Sequence, residues 1–144
     1  MFRTTLFRQT MFAEFEKFAH DSDDNGEALT KEYLSEKYLE LNKKYYGDAV
    51  VHNDQIAIEW ARIPHFYTSF YVYKYATGIT SAVTIANNIL TKKGYVETYK
   101  QFLSSGSSAS PYDILIIHNL PEESFGRWIL RLHQSYPSDN GNRT

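Results

Sequence analysis

The stretch from Trp60 to Gly78 crowds together more aromatic rings than the packing of one helix face requires, and it opens on Arg62, Pro64 and His65. Pro64 fixes its own φ and drives Ile63 toward extended geometry, so the front half is expected to be a loop. Thr68 or Ser69 is then placed to cap a helix that runs on through Tyr71, Tyr75, Ala82 and Ala86. Helical spacing sets Tyr71, Lys74 and Tyr75 along one face and Phe70 and Tyr73 along another, so both faces carry tyrosine hydroxyls. A buried hydroxyl needs a partner. One reading is a helix entering a core with its tyrosines bonded to protein. The other is a cleft wall whose hydroxyls, with the His65 imidazole, are held for a ligand.

The remaining segments also carry helical periods. Thr4 to His20 places Phe7, Met11, Phe15 and Phe18 on one stripe, with Arg8, Glu14, Glu16 and Lys17 elsewhere. Thr30 is placed to cap a second helix, with Leu29 and Leu34 as a hydrophobic staple. Leu34, Tyr38, Leu41 and Tyr45 form its stripe, Gly47 its stop, and Glu36, Glu40, Lys37, Lys43 and Lys44 a solvated face. A short helix is expected within Asp54 to Trp60. Small residues from Ile79 to Leu90 continue the central helix, with Val83, Ala86 and Leu90 at helical spacing. Tyr95 to Leu103 follows with Tyr95, Tyr99, Phe102 and Leu103 inward, then a serine-rich loop and a helix started by Ser110 and Pro111. The fold class is all-α, a multi-helix bundle.

Asp21, Asp23, Asn25, Gly26 and Glu32 satisfy the spacing of a calcium loop, in which oxygen ligands alternate, a glycine makes the bend and a glutamate closes the shell. The surrounding register opposes it. Ala28 stands where such loops place a branched apolar residue, Glu16 and Lys17 occupy positions that would have to be apolar, and no second loop pairs with the first. The competing reading is a polar turn between helices.

Composition excludes several classes of function. A net charge of −2 leaves no electrostatic footprint for nucleic acid or anionic membrane. The absence of cysteine removes disulfides, thiol nucleophiles and thiolate metal sites together. No apolar run approaches membrane-spanning length and no signal peptide is evident, so a cytoplasmic protein is expected.

The run Arg62-Ile-Pro-His-Phe-Tyr67 with Phe70-Tyr-Val-Tyr-Lys-Tyr-Ala-Thr-Gly78 resembles the end of the active-site region of oligoendopeptidase F, in the thimet-oligopeptidase-like family of zinc metallopeptidases. The resemblance extends back through Phe2 to Glu16 and Tyr38 to Gly47, and forward to Tyr99–Leu103 and Ser110–Leu115. It implies the C-terminal part of a helical catalytic domain over residues 1–115. Residues 116–144 then form a divergent, partly disordered tail, expected to come from a shifted reading frame or a degraded gene end. It also implies hydrolysis of short peptides in a channel, with zinc polarising the scissile carbonyl and activating water. His65, Tyr71 and Tyr73 would hold substrate and donate hydrogen bonds to the oxyanion, with Tyr67 and Arg62 binding substrate.

The family's His-Glu-x-x-His zinc motif is missing. The histidines are His20, His52, His65, His118 and His133, and no two stand at i, i+4. The chain is therefore expected to hold no zinc and to be inactive alone, complemented by a separate N-terminal half or self-associating. The alternatives are a small helical peptide-binding module and a calcium-binding helix-loop-helix through Asp21 to Glu32.

Overall fold

The computed structural model describes residues 2–118. The chain is all-α, and among the described residues there is no strand. A π-helical segment (Phe2–Phe7) leads into α1 (Arg8–Asp24), followed by α2 (Lys31–Tyr46) and the short α3 (Asp54–Ala57). Two 3₁₀ turns, Glu59–Arg62 and Pro64–Tyr67, precede α4 (Tyr73–Thr91), α5 (Tyr95–Ser104) and α6 (Pro111–Ile117). No helix among these residues is long and apolar enough to cross a membrane. Two compact units result, Met1–Ala76 and Thr77–Thr144.

In the first unit, Met11, Phe12 and Phe15 of α1 meet Leu34, Tyr38 and Leu41 of α2, and Ile63 and Val72 complete the core. The Tyr38 ring stands edge-on to Phe15 at 5.1 Å and stacks on Phe12 at 6.4 Å, so aromatic geometry fixes how α1 and α2 seat together. The expected α1 stripe is buried at Met11 and Phe15, while Phe18 flanks the core and Phe7 is exposed. Thr30 caps α2 by accepting the Tyr33 amide at 3.2 Å. At its other end Gly47 takes a positive φ of 53°, a conformation in which glycine carries no Cβ penalty.

The turn between α1 and α2 starts later than the sequence reading places it. Asp21 to Asp24 are the last residues of α1, Asn25 is its cap, and Gly26 alone turns the chain, at φ 78°. Lys17 one turn back pairs with Asp21, and the buried Ser22 shares a hydrogen bond with the Tyr33 hydroxyl, so local partners extend the helix.

In the second unit the covered stripe of α4 differs from the expected one. Val83, Ala86 and Leu90 are exposed, whereas Ser81 and Asn88 are buried and Ile85 and Ile89 half-buried. Both sets have helical spacing, and spacing says which residues share a face but not which face is covered. Tyr95 is buried on α5, Tyr99 and Phe102 stack at 6.3 Å, and Leu103 faces outward against expectation. Ser110 caps α6 through the Asp113 amide, with Pro111 in the first turn. The expected tail beyond His118 lies outside the described residues.

Candidate functional site

The aromatic stretch is more ordered in front and less helical behind than its sequence indicates. Pro64 opens a 3₁₀ turn, where its missing N–H removes no bond. The expected cap at Thr68 or Ser69 does not form, and α4 begins at Tyr73. The break lies at Phe70, whose φ of 56° makes it, among the described residues, the non-glycine residue in the left-handed region. An L-residue there costs about 1–2 kcal/mol, so something must hold it. Glu16 of α1 does so, with Oε1 accepting the Phe70 amide at 2.6 Å. The following turn closes with the Tyr71 amide donating to the Thr68 carbonyl at 3.2 Å.

This bend brings three rings together. The His65 imidazole lies on Tyr71 with centroids 5.6 Å apart and planes at 14°, and meets Tyr75 edge-on at 5.9 Å. Tyr71 and Tyr75 stand edge-to-face at 5.5 Å, and the Tyr75 hydroxyl donates to that of Tyr71 at 3.2 Å. That bond holds the Tyr75 phenol above its ordinary range. The Lys74 ammonium sits 5.6 Å over the Tyr71 ring. His65, Tyr71 and Tyr75 are all solvent-accessible, and Tyr67 nearby in sequence is 83% exposed.

The other expected site residues are placed differently. Tyr73 is half-buried against the core, and burial raises its phenol pKa. Arg62 donates to Glu59 Oε1 at 2.6 Å, although its side chain stays largely exposed. Glu59 is buried and also accepts from Arg8 at 2.7 Å and the Tyr38 hydroxyl at 2.8 Å. Burial alone would raise the Glu59 carboxyl, but the bonds from Arg8 and Tyr38 and the charges of Arg8 and Arg62 outweigh it and hold it low. Arg62 thus anchors its 3₁₀ turn to a buried carboxylate network joining α1 and α2.

Behind the turn lies a cavity of about 410 Å³, lined by Phe15, Glu16, His20, Trp60, Phe66 and neighbours. Glu16 is 5% exposed, its Oε2 has no hydrogen-bond partner, and burial, partly offset by the Phe70 amide, pushes its carboxyl up to about 7. The His20 ring packs 4.4 Å from Phe70. The stripe of Phe7, Met11, Phe15 and Phe18 sets Glu16 among the polar positions of α1. Phe12, Phe15, Glu16 and Ala19 form an i, i+3, i+4, i+7 set, and that spacing was the available signal that Glu16 faces inward.

The calcium-loop reading does not match the backbone of these residues. Asp21 and Asp23 stand two positions apart on helical backbone, which points them to nearly opposite sides of α1, and Glu32 lies in the first turn of α2, so the calcium-loop residues do not wrap a common centre. Among the described residues no three of His, Cys, Asp and Glu form a group that could hold a metal. His52 is bonded to the Gly47 carbonyl, His118 to Ser105, His65 is in the stack and His20 on Phe70. These side chains therefore do not fit the catalytic zinc that the resemblance implies.

With this geometry in hand, comparison with known proteins is specific. The model of a family described as peptidase family M3 matches residues 2–125, past Leu115, where the sequence reading ended the resemblance. The chain belongs to peptidase family M3. It is 51% identical over 115 residues to oligopeptidase PepF of Bacillus subtilis, covering 79% of this chain and 17% of that protein. Oligoendopeptidase F of Lactococcus lactis subsp. cremoris, the plasmid form, is 47% identical over 126 residues, or 85% of this chain and 21% of that one. The crystal structure of oligoendopeptidase-F from Enterococcus faecium superposes with a TM-score of 0.77 at 40% identity, covering 93% of this chain and 27% of its own. The M3 chain described here thus spans about a fifth of the length of its curated relatives.

Proposed function

We propose that these residues form the substrate-side wall of an M3 peptidase that cleaves short peptides. The supporting observation is the accessible cluster of His65, Tyr71 and Tyr75, with hydroxyl and imidazole groups on one surface. A peptide backbone presents carbonyl acceptors, and a carbonyl under attack becomes an oxyanion that fixed donors stabilise. One such donor typically contributes about 3 kcal/mol in the transition state. In this reading His65 and Tyr71 serve the scissile carbonyl, with Tyr75 orienting the Tyr71 hydroxyl, and Tyr67 and Arg62 flank the peptide, while Tyr73, packed half-buried against the core, stands apart from that cluster. The described residues hold no metal-binding group, so the activating group belongs elsewhere in the assembled peptidase. In this reading an N-terminal peptidase half completes the site, in the cytoplasm, and self-association is a further expected property of the chain.

Fluorescence anisotropy with a labelled short peptide tests the wall. We expect weak binding that His65→Ala or Tyr71→Phe reduces about five- to tenfold, the loss of roughly one hydrogen bond. Binding indifferent to both substitutions would reject the reading. The chain alone should not cleave a fluorogenic peptide, and phenanthroline-sensitive cleavage would show that its chemistry is complete.

A further inference from the structure

We propose that Glu16 is a positioning residue that sets Tyr71 against His65 by holding Phe70 in its left-handed conformation. Three observations converge on it. Phe70 has φ 56°, which an L-residue adopts only when its surroundings impose it. Its amide is spent on Glu16 Oε1 at 2.6 Å, a contact that spans 54 residues of sequence and ties α1 to the bend. The next residue is Tyr71, whose ring reaches the His65 imidazole because the chain reverses at Phe70 instead of continuing as helix.

The alternative backbone is easy to specify. If Phe70 relaxed to right-handed φ, Thr68 or Ser69 would become a helix cap and α4 would gain a turn. Residues 70 to 72 would then be helical, and Tyr71 would move with them away from His65. Glu16 opposes this with an acceptor fixed by burial between Phe15 and Ala19, 5% exposed. Its amide analogue keeps an acceptor oxygen, so the geometry does not require the charge. Glycine at position 70 would make the left-handed conformation available without any outside hold.

Those two properties define the test. The His65 ring protons should show an upfield shift in NMR spectra from lying on Tyr71, assigned by their loss in His65→Gln. Glu16→Gln should keep the shift, Glu16→Ala should lose it, and Glu16→Ala with Phe70→Gly should regain it. A generally weakened fold would not be repaired by placing glycine in a loop. Retention of the shift in Glu16→Ala, its loss in Glu16→Gln, or failure of the double variant to restore it would overturn the proposal. Where Glu16→Ala does not fold, hydrogen exchange of the Phe70 amide in the unaltered chain decides: protection supports the bond to Glu16 and exchange at the free-peptide rate rejects it. The consequence for peptide binding rests on the function proposed above, whereas these spectra need no peptide. A restored His65 shift without peptide binding would therefore reject the substrate wall and leave Glu16's role intact.

Discussion

The two compact units differ in which side chains they cover, although each buries polar atoms without a partner among the described residues: Gln9 Oε1, Glu16 Oε2 and His52 Nδ1 in Met1–Ala76, and Ser81 Oγ, Asn88 Oδ1 and Tyr95 Oη in Thr77–Thr144. In Met1–Ala76, the buried Glu59 is satisfied by Arg8, Arg62 and Tyr38 within a shell of interlocked aromatic rings. In Thr77–Thr144, Ser81 and Asn88 are buried along α4, while Leu90 is 84% exposed and Ile117 66%. The first unit closes its core with its own side chains. Along α4 the second turns polar atoms inward and apolar ones outward among the described residues. Stability should therefore be concentrated in α1, α2 and the Glu59 network, and substitutions can break or sharpen that contrast.

The largest effect is expected at Glu59. Its replacement by alanine leaves Arg8 and the Tyr38 hydroxyl without their acceptor, and urea unfolding should show a loss of about 3–5 kcal/mol. Next comes a matched pair of leucines. Leu41→Ala, at a fully buried position, should cost about 3 kcal/mol, and Leu90→Ala on the exposed face of α4 less than about 0.5. Equal losses at the two leucines would erase the contrast.

The third effect depends on pH. The Glu16 carboxyl titrates near 7 in the folded chain and near 4.5 unfolded, so between those values the folded state holds the extra proton. Its contribution is fully present below about 4.5 and is lost as pH rises through 7, amounting to roughly 3 kcal/mol. Glu59 and Glu14 have the opposite sign, their carboxyls being held low, and their contributions vanish only as pH falls into the carboxylate range. His20 lines the same cavity as Glu16, so the comparison must be made against Glu16→Gln, which retains His20 and should flatten the slope between pH 5 and 7.5. An unchanged slope would remove Glu16 as its source. The smallest effects are at the helix caps: Thr30→Ala in the first unit and Ser110→Ala in the second should each cost about 1 kcal/mol, because capping is local.

Much of this was legible in the chain. Thr30, Gly47, Ser110 and Pro111 punctuate helices where local chemistry places them, because a cap needs only residues three or four positions away. The motif around Arg62 to Gly78 pointed to the family that the comparison established. The start of α4 was not legible, since the hydrogen bond that stops it comes from Glu16, far away in sequence. Nor was the role of Arg62, whose partner Glu59 is buried only once α1 and α2 have packed. The calcium spacing failed for the reverse reason: five matching positions say nothing of backbone conformation, and here the first of them are helical.

By itself the sequence determined the helical class, most helix boundaries and the family, all of which follow from periodicity, capping and motif within a few residues. Only tertiary structure decided which face of α4 is covered, that Glu59 gathers two arginines and a tyrosine, and that Tyr71 lies on His65. Those outcomes depend on burial and on hydrogen bonds between residues 21 to 54 positions apart, and local spacing carries no information about either.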